Sequence, residues 1–228
     1  METAPVSFKL ISYTINESIP TYANKSRVKI HKMKSINDGD SVNESTMNMP
    51  IHAGTHLDFP NHFYGNGQTL KDFPESFWIC EKPLLITVEA RGSLLLGEEI
   101  IAALKAIESK PYDILLIKAL PQVERDDSNY WKNNYGIDAK VASYLRNSIP
   151  TIKMIGMNSI SLTSYQHREA GRKSHLEFLD PEHPILVIED MNLLQIREDQ
   201  VMEKVIVSPL MVEGTDGVPV TVWVEMKN

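Results

Sequence analysis

Cysteine is almost missing from the 228 residues: Cys80 is the only one. It cannot close an internal disulfide, has no second thiol for redox chemistry, and between Ile79 and Glu81 it reads as a buried spectator. Basic charge is also in deficit, with 23 Lys and Arg against 30 Asp and Glu and a net charge of −7. An acidic chain repels polyanions, which argues against a nucleic-acid partner. The local basic run at residues 25–34 reads as a solvated edge or loop. No apolar stretch approaches the roughly 20 residues of a membrane-spanning helix. The opening METAPVSFKL lacks the hydrophobic core of a secretory signal, so a cytoplasmic protein without a membrane partner is expected. Repeats and low-complexity tracts are absent as well, and 42% hydrophobic residues suffice for one sizeable core. One domain over residues 1–228 is the expectation.

What is present divides into short Val-, Ile- and Leu-rich runs and longer amphipathic stretches. The runs at residues 84–88, 113–117, 151–157, 185–188, 205–207 and 218–224 predict strands, and residues 6–15 alternate imperfectly as a further one. Residues 97–108 predict a helix, with Ile100, Ile101, Leu104 and Ile107 at helical spacing; residues 138–147 and 168–179 predict two more. Strand and helix alternate in the second half, as in α/β proteins whose helices cover a sheet. The first half is richer in loop and strand, and polar residues 37–48 read as a loop leading towards the segment that follows.

That segment, IHAGTHLDFPNHF at residues 51–63, gathers His52, His56, Asp58 and His62 within eleven residues. Neutral imidazole and carboxylate suit zinc or another first-row divalent ion. His52 and His56 have the spacing of a helical zinc-protease motif, but Ala53 stands where that motif needs Glu, and Gly54, Thr55 and Pro60 oppose a helix. A bent segment, turning tightly at Gly54, would let His52, His56 and Asp58 face one point.

The pattern His-x-Gly-Thr-His-x-Asp-x-Pro-x-His-Phe resembles the signature of the cyclase and bacterial kynurenine formamidase family of metal-dependent hydrolases. Further stretches resemble that family in the same order: Lys9 to Pro20, the DILLIK run at 113–118, Ile155-Gly156-Met157-Asn158-Ser159 with Asn158 in place of the usual Asp, and PLMVEGTDGVPV at 209–220 with Asp216-Gly217. In place of a tryptophan that the resemblance implies near the first proline-containing loop, the chain has Ile19-Pro20-Thr21-Tyr22. The fold implied is a mixed sheet with flanking helices, of the swivelling β/β/α type.

A catalytic metal needs further ligands and an open position for water. His167, His175 and His183 are the remaining nearby imidazoles, and Glu189 follows the apolar strand PILVI. The resemblance implies a His on a helix and a Glu after a strand, which map onto His175 and Glu189, with His167 as the alternative. A second ion bridged by Asp58 is also implied. Zinc, one or two ions, is the expected cofactor and manganese the alternative. His62, four residues beyond Asp58, suits acid-base work because imidazole exchanges protons near neutrality; direct ligation is the competing role. The resemblance gives the matching His the acid-base role.

The activity implied is hydrolysis of a small amide by metal-activated water, with His62 or Glu189 returning a proton to the leaving nitrogen. N-formylkynurenine, and so tryptophan catabolism, is the leading named substrate. A metal-dependent cyclase or dehydratase, or a metal-binding protein without catalysis, are the alternatives. The family also implies a homodimer or homotetramer, and the irregular apolar segment at residues 73–78 could serve such a contact. Tyr22, Phe59, Phe63, Tyr64, Phe73 and Trp78 are the aromatic side chains that could meet a substrate ring.

Overall fold

Two hydrophobic patterns organise the chain: continuous apolar runs, which suit strands buried on both faces, and alternation, which suits strands with one face in solvent. A computed structural model describes residues 7–90, 92–107, 110–197 and 199–227. In chain order its strands are β1 (Ser7–Leu10), β2 (Lys29–Lys34), β3 (Glu44–Asn48), β4 (His56–Asp58), β5 (Ile79–Cys80), β6 (Pro83–Glu89), β7 (Leu95–Leu96), β8 (Ile114–Leu120), β9 (Gly136–Ile137), β10 (Met154–Met157), β11 (Leu186–Glu189), β12 (Met202–Pro209) and β13 (Gly217–Met226). The helices are α1 (Glu98–Lys105), α2 (Asn129–Lys132), α3 (Lys140–Ser148) and α4 (Arg168–Phe178).

The main sheet runs β5-β12-β13-β4-β11-β10-β8-β6, with β1 added to β13. Strands β11, β10, β8 and β6 are parallel, and their residues read as apolar runs, with Ile114, Leu115 and Leu116 of β8 fully buried. Strands β12 and β13 pair antiparallel and alternate instead: Val205, Val207, Val222 and Val224 are buried, whereas Thr221 and Trp223 face out. The sheet is nearly closed, because β12 passes close to β6. Helix α1 packs on β6 through Ile100 and Leu104, and α3 packs against α1 and α4. Glu98 and Glu99 in its first turn and Lys105 in its last complement the α1 dipole. This is the mixed-sheet α/β architecture that the sequence predicts.

Three local readings change. Residues 6–15 do not form one strand: β1 stops at Leu10, and Ser12 pairs separately with Met191; Val6 lies outside the described residues. Residues 37–48 are not simply loop, because Glu44–Asn48 is a strand paired with Lys29–Lys34. Every residue of that two-stranded arm is exposed, so no buried face gave it a periodicity to read. The first predicted helix ends at Lys105, and Glu108 lies outside the described residues. Cys80 is buried opposite Val205, where burial pushes its thiol up to about 12.

Candidate metal centre

Strand β4 is the element that builds the site. It lies between β11 and β13, antiparallel to both, with His56 opposite Glu189 and Asp58 opposite Val187. Alternation along a strand puts His56 and Asp58 on one face and sends Leu57 into the core. Residues in register across a pair share a face, so Glu189 joins them. Gly54, at φ +70°, makes the left-handed turn that leads His52 back over this face. Gly217 opposite Asp58 leaves room for the ring: a Cβ there would stand 2.6 Å from His52 Cε1.

The donors converge from four elements. Asp58 splits its carboxylate: Oδ1 lies 2.8 Å from His52 Nδ1 and 3.5 Å from His56 Nε2, while Oδ2 lies 3.5 Å from His175 Nε2. Glu189 faces His56 Nε2 through Oε2 at 3.3 Å and His175 Nε2 through Oε1 at 3.4 Å. His56, Asp58, His175 and Glu189 are all buried.

Hydrogen bonds behind the rings fix what the inner atoms can do. His56 Nδ1 donates to the Gly54 carbonyl at 2.8 Å, and His175 Nδ1 donates to the Gly171 carbonyl at 2.9 Å, one helical turn back. Each neutral ring therefore aims the lone pair of Nε2 at the carboxylates. His56 Nε2 is buried with no hydrogen-bond partner among the described residues. Two imidazole Nε2 atoms meeting two carboxylates need positive charge between them, which either a metal ion or protons on the rings can supply. Ligand atoms at the edges of a tetrahedron around zinc lie about 3.3–3.4 Å apart. His56 Nε2 faces Asp58 Oδ1 and Glu189 Oε2, and His175 Nε2 faces Asp58 Oδ2 and Glu189 Oε1, so the spacings of 3.3 to 3.5 Å suit an ion on either side of Asp58, in the sets His52, His56, Asp58 and Asp58, His175, Glu189.

Without a metal, protons fill that role. Burial opposes charge on His175, but Asp58 and Glu189 override it and hold the ring at about 10. Burial likewise opposes charge on His52, yet hydrogen bonds to Asp58 and Asp216 raise it to about 9. Burial and the neighbouring Asp58 push Glu189 upward, but His175 and His56 prevail and bring it to about 2. Glu189 Oε1 also accepts hydrogen bonds from the Leu162 amide at 2.5 Å and Ser161 Oγ at 3.1 Å.

A second cluster adjoins the first through His52. Its Nε2 donates to Asp216 Oδ2 at 2.8 Å, and His62 Nδ1 reaches the same oxygen at 2.7 Å. His52, His62 and Asp216 form a possible ligand set of their own. The structure thus brings His52, His56, Asp58, His175 and Glu189 together and places His62 one carboxylate away. His167 and His183 are exposed and stay outside the clusters. Asp216 is the participant that sequence reasoning missed; its signal was the Asp-Gly pair that precedes the last strand. Of the aromatic candidates, Phe63 stacks on His175 with centroids 4.6 Å apart, whereas Phe59 and Phe73 stack on each other beside Trp78 in the core. Asn158 is not at the centre: it accepts from the Ala119 amide at 2.8 Å and donates to the Ala119 carbonyl at 3.0 Å, clamping β8.

A mixed-sheet α/β protein with a buried histidine-carboxylate centre is the class that this fold and site define. The chain belongs to the Cyclase family, whose model, described as putative cyclase, matches residues 10–163. It is 25% identical to the kynurenine formamidase of Erythrobacter litoralis (strain HTCC2594) over 189 residues, covering 82% of this chain and 80% of that one. Among solved structures it resembles isatin hydrolase A from Ralstonia solanacearum, with a TM-score of 0.74, 14% identity and coverage of 97% and 92%. It also resembles a potential metal-dependent hydrolase with cyclase activity, with a TM-score of 0.71, 19% identity and coverage of 98% and 100%. At these identities the structural likenesses establish the fold.

Proposed function

We propose that the chain is a metal-dependent hydrolase of small amides, arylformamidase-like, with N-formylkynurenine the leading named substrate. The observation that carries this reading is the convergence of His56 Nε2 and His175 Nε2 on the buried carboxylates of Asp58 and Glu189 at 3.3 to 3.5 Å. Asp58, His175 and Glu189 would hold one ion, and His52, His56 and Asp58 a second that shares Asp58. Zinc is the first choice for this donor set and manganese the second. Such an ion, when bound, polarises a carbonyl and brings the pKa of bound water to about 7. Names of relatives, a formamidase among sequences and an isatin hydrolase among structures, support an amide as the bond attacked.

The protein's own groups then position and move protons. Glu189, whose Oε1 accepts from the Leu162 amide and Ser161 Oγ and whose Oε2 faces His56, is assigned first as a ligand, with proton donation its second role. Proton delivery falls first to His62. Asp216 accepts from its Nδ1, which orients the ring and leaves Nε2 free to take a proton from the attacking water and return it to the leaving nitrogen. Phe63, nearly parallel to His175, walls the centre on the side of α4.

Elemental analysis of the purified protein, paired with N-formylkynurenine hydrolysis before and after chelation and metal restoration, tests this. One or two equivalents of metal with chelator-sensitive turnover are expected. Full turnover by protein freed of metal would overturn it.

A further inference from the structure

Asp190 follows Glu189 directly and holds a backbone conformation that most side chains avoid, with φ of +55°. It is also buried. Sheet pairing does little to secure this point: β10 pairs with β11 only as far as Ile188, so Glu189 is tied to β4 alone, opposite His56. The chain then leaves the strand, and Met191 bridges to Ser12. A ligand at the end of a strand, beside a left-handed turn, keeps its carboxylate in place only if its neighbours are anchored.

Every polar group of Asp190 is engaged. Its amide donates to the Ser159 carbonyl at 2.7 Å, and its carbonyl accepts from Thr55 Oγ1 at 2.6 Å. Its carboxylate takes two arms of Arg125, Nε to Oδ1 at 3.2 Å and a terminal nitrogen to Oδ2, and Tyr130 donates its hydroxyl to Oδ1. The Arg125 guanidinium carbon lies 3.8 Å from the centroid of the Tyr13 ring, which holds the arginine in turn. Each partner belongs to a segment that reaches a ligand. Thr55 precedes His56. Ser159 opens the loop whose Ser161 Oγ and Leu162 amide donate to Glu189 Oε1 and whose Thr163 Oγ1 lies 3.2 Å from His175 Nδ1. Asn134, on the same segment as Arg125 and Tyr130, grips that loop through the Ser161 and Thr163 carbonyls at 3.3 and 2.9 Å.

A buried ion pair is a poor source of stability, because desolvation offsets its attraction and apolar side chains of equal volume would fill the space as well. What it supplies is direction, since a bidentate guanidinium fixes a carboxylate at two points in one plane. Glu189 belongs to the ligand set with Asp58 and His175, and His56 to the set with His52 and Asp58. Asp190 is bonded to the first and tied through Thr55 to the second. We infer that Asp190, clamped by Arg125 and Tyr130, is a positioning residue of the metal centre: it fixes the end of β11 and the start of β4, so that the donors of both sets keep their spacing. This rests on the site being a metal centre and is independent of the bond that is cleaved.

The test measures zinc affinity of the folded protein by competition with a chromophoric chelator, beside urea unfolding of the zinc-loaded form. Asp190→Asn keeps the size and the turn but loses the ion pair, and zinc affinity should fall about 10–100-fold, the usual worth of a group behind a metal ligand. Arg125→Lys, which keeps the charge without the two-point hold, should lose affinity severalfold. Asp190→Gly separates positioning from turn geometry. Glycine adopts a positive φ freely, so a residue needed only for the turn would be improved by it, whereas loss of the anchor should weaken zinc at least as much as Asn does. With cobalt(II) as the probe, the visible absorption follows ligand geometry and should differ between the parent and these variants. Zinc affinity and cobalt spectrum unchanged in Asp190→Asn and Arg125→Lys, with only the urea midpoint moved, would overturn the inference and leave the metal centre standing; these two variants decide even if Asp190→Gly does not fold. A parent protein that takes up no zinc or cobalt would overturn the metal centre and the inference together.

Discussion

His62 and Asp216 meet at 2.7 Å through Nδ1 and Oδ2, although 154 residues separate them in the chain. The contact orients the ring from the side away from its Nε2, and the same oxygen takes His52 Nε2. His62→Ala should keep its metal and lose turnover by about 10²–10⁴-fold, the usual worth of a placed acid-base group. Asp216→Asn, which keeps the shape but weakens the hold on His62, should cost about 10–100-fold. Metal analysis beside steady-state kinetics checks both; a His62→Ala protein that loses its metal would show that His62 is a ligand.

Asp58 reaches three imidazoles with its two oxygens and is buried. Asp58→Asn removes the charge that all of them share, so metal occupancy should fall below one-tenth of the parent value, on the order of the 10–100-fold affinity losses seen even for groups behind the ligands. Dialysis against a fixed free-metal concentration followed by elemental analysis measures it.

Metal should stabilise the protein more as pH rises. In the metal-free state the folded protein holds His175 at about 10, above its ordinary 6.5, so the unfolded chain releases that proton first. Its stabilisation is complete below about pH 6.5 and fades as pH rises through about 10. A bound ion displaces the same proton, and its affinity rises over that interval. The gap in thermal midpoint between loaded and chelated protein should therefore widen from pH 6.5 to pH 9, and a gap that narrows would contradict the shared site.

Asn158 both accepts from and donates to Ala119. Aspartate can only accept, so Asn158→Asp leaves the Ala119 carbonyl facing a buried carboxylate instead of a donor. The expected cost is about 1–3 kcal/mol in urea unfolding at neutral pH. Partial recovery at acid pH, where a protonated side chain can donate again, would distinguish this from general disruption.

Cys80 should be inert in the native protein, because burial raises its thiol to about 12 and leaves almost no thiolate at pH 8. Titration with a disulfide reagent should find no reactive thiol until urea unfolds the chain, and one thereafter. Rapid labelling of the native state would show that the β5 edge opens.

The sequence by itself determined what depends on near neighbours. His52, His56, Asp58 and His62 lie within eleven residues, Gly54 is the residue that a left-handed turn needs, and the apolar runs and amphipathic stretches mark most strands and helices. These follow from backbone sterics and from periodicities of two and 3.6. Tertiary structure decided what depends on register between distant segments. Inserting β4 between β11 and β13 put Glu189 opposite His56 and brought Asp216 to His62, pairings that no local pattern records. It also chose His175 over His167, since only the last turns of α4 face β4, and it revealed the exposed β2 and β3 arm that no burial pattern announced. Local rules fix which donors exist; the sheet's non-local pairing fixes which of them share one buried point.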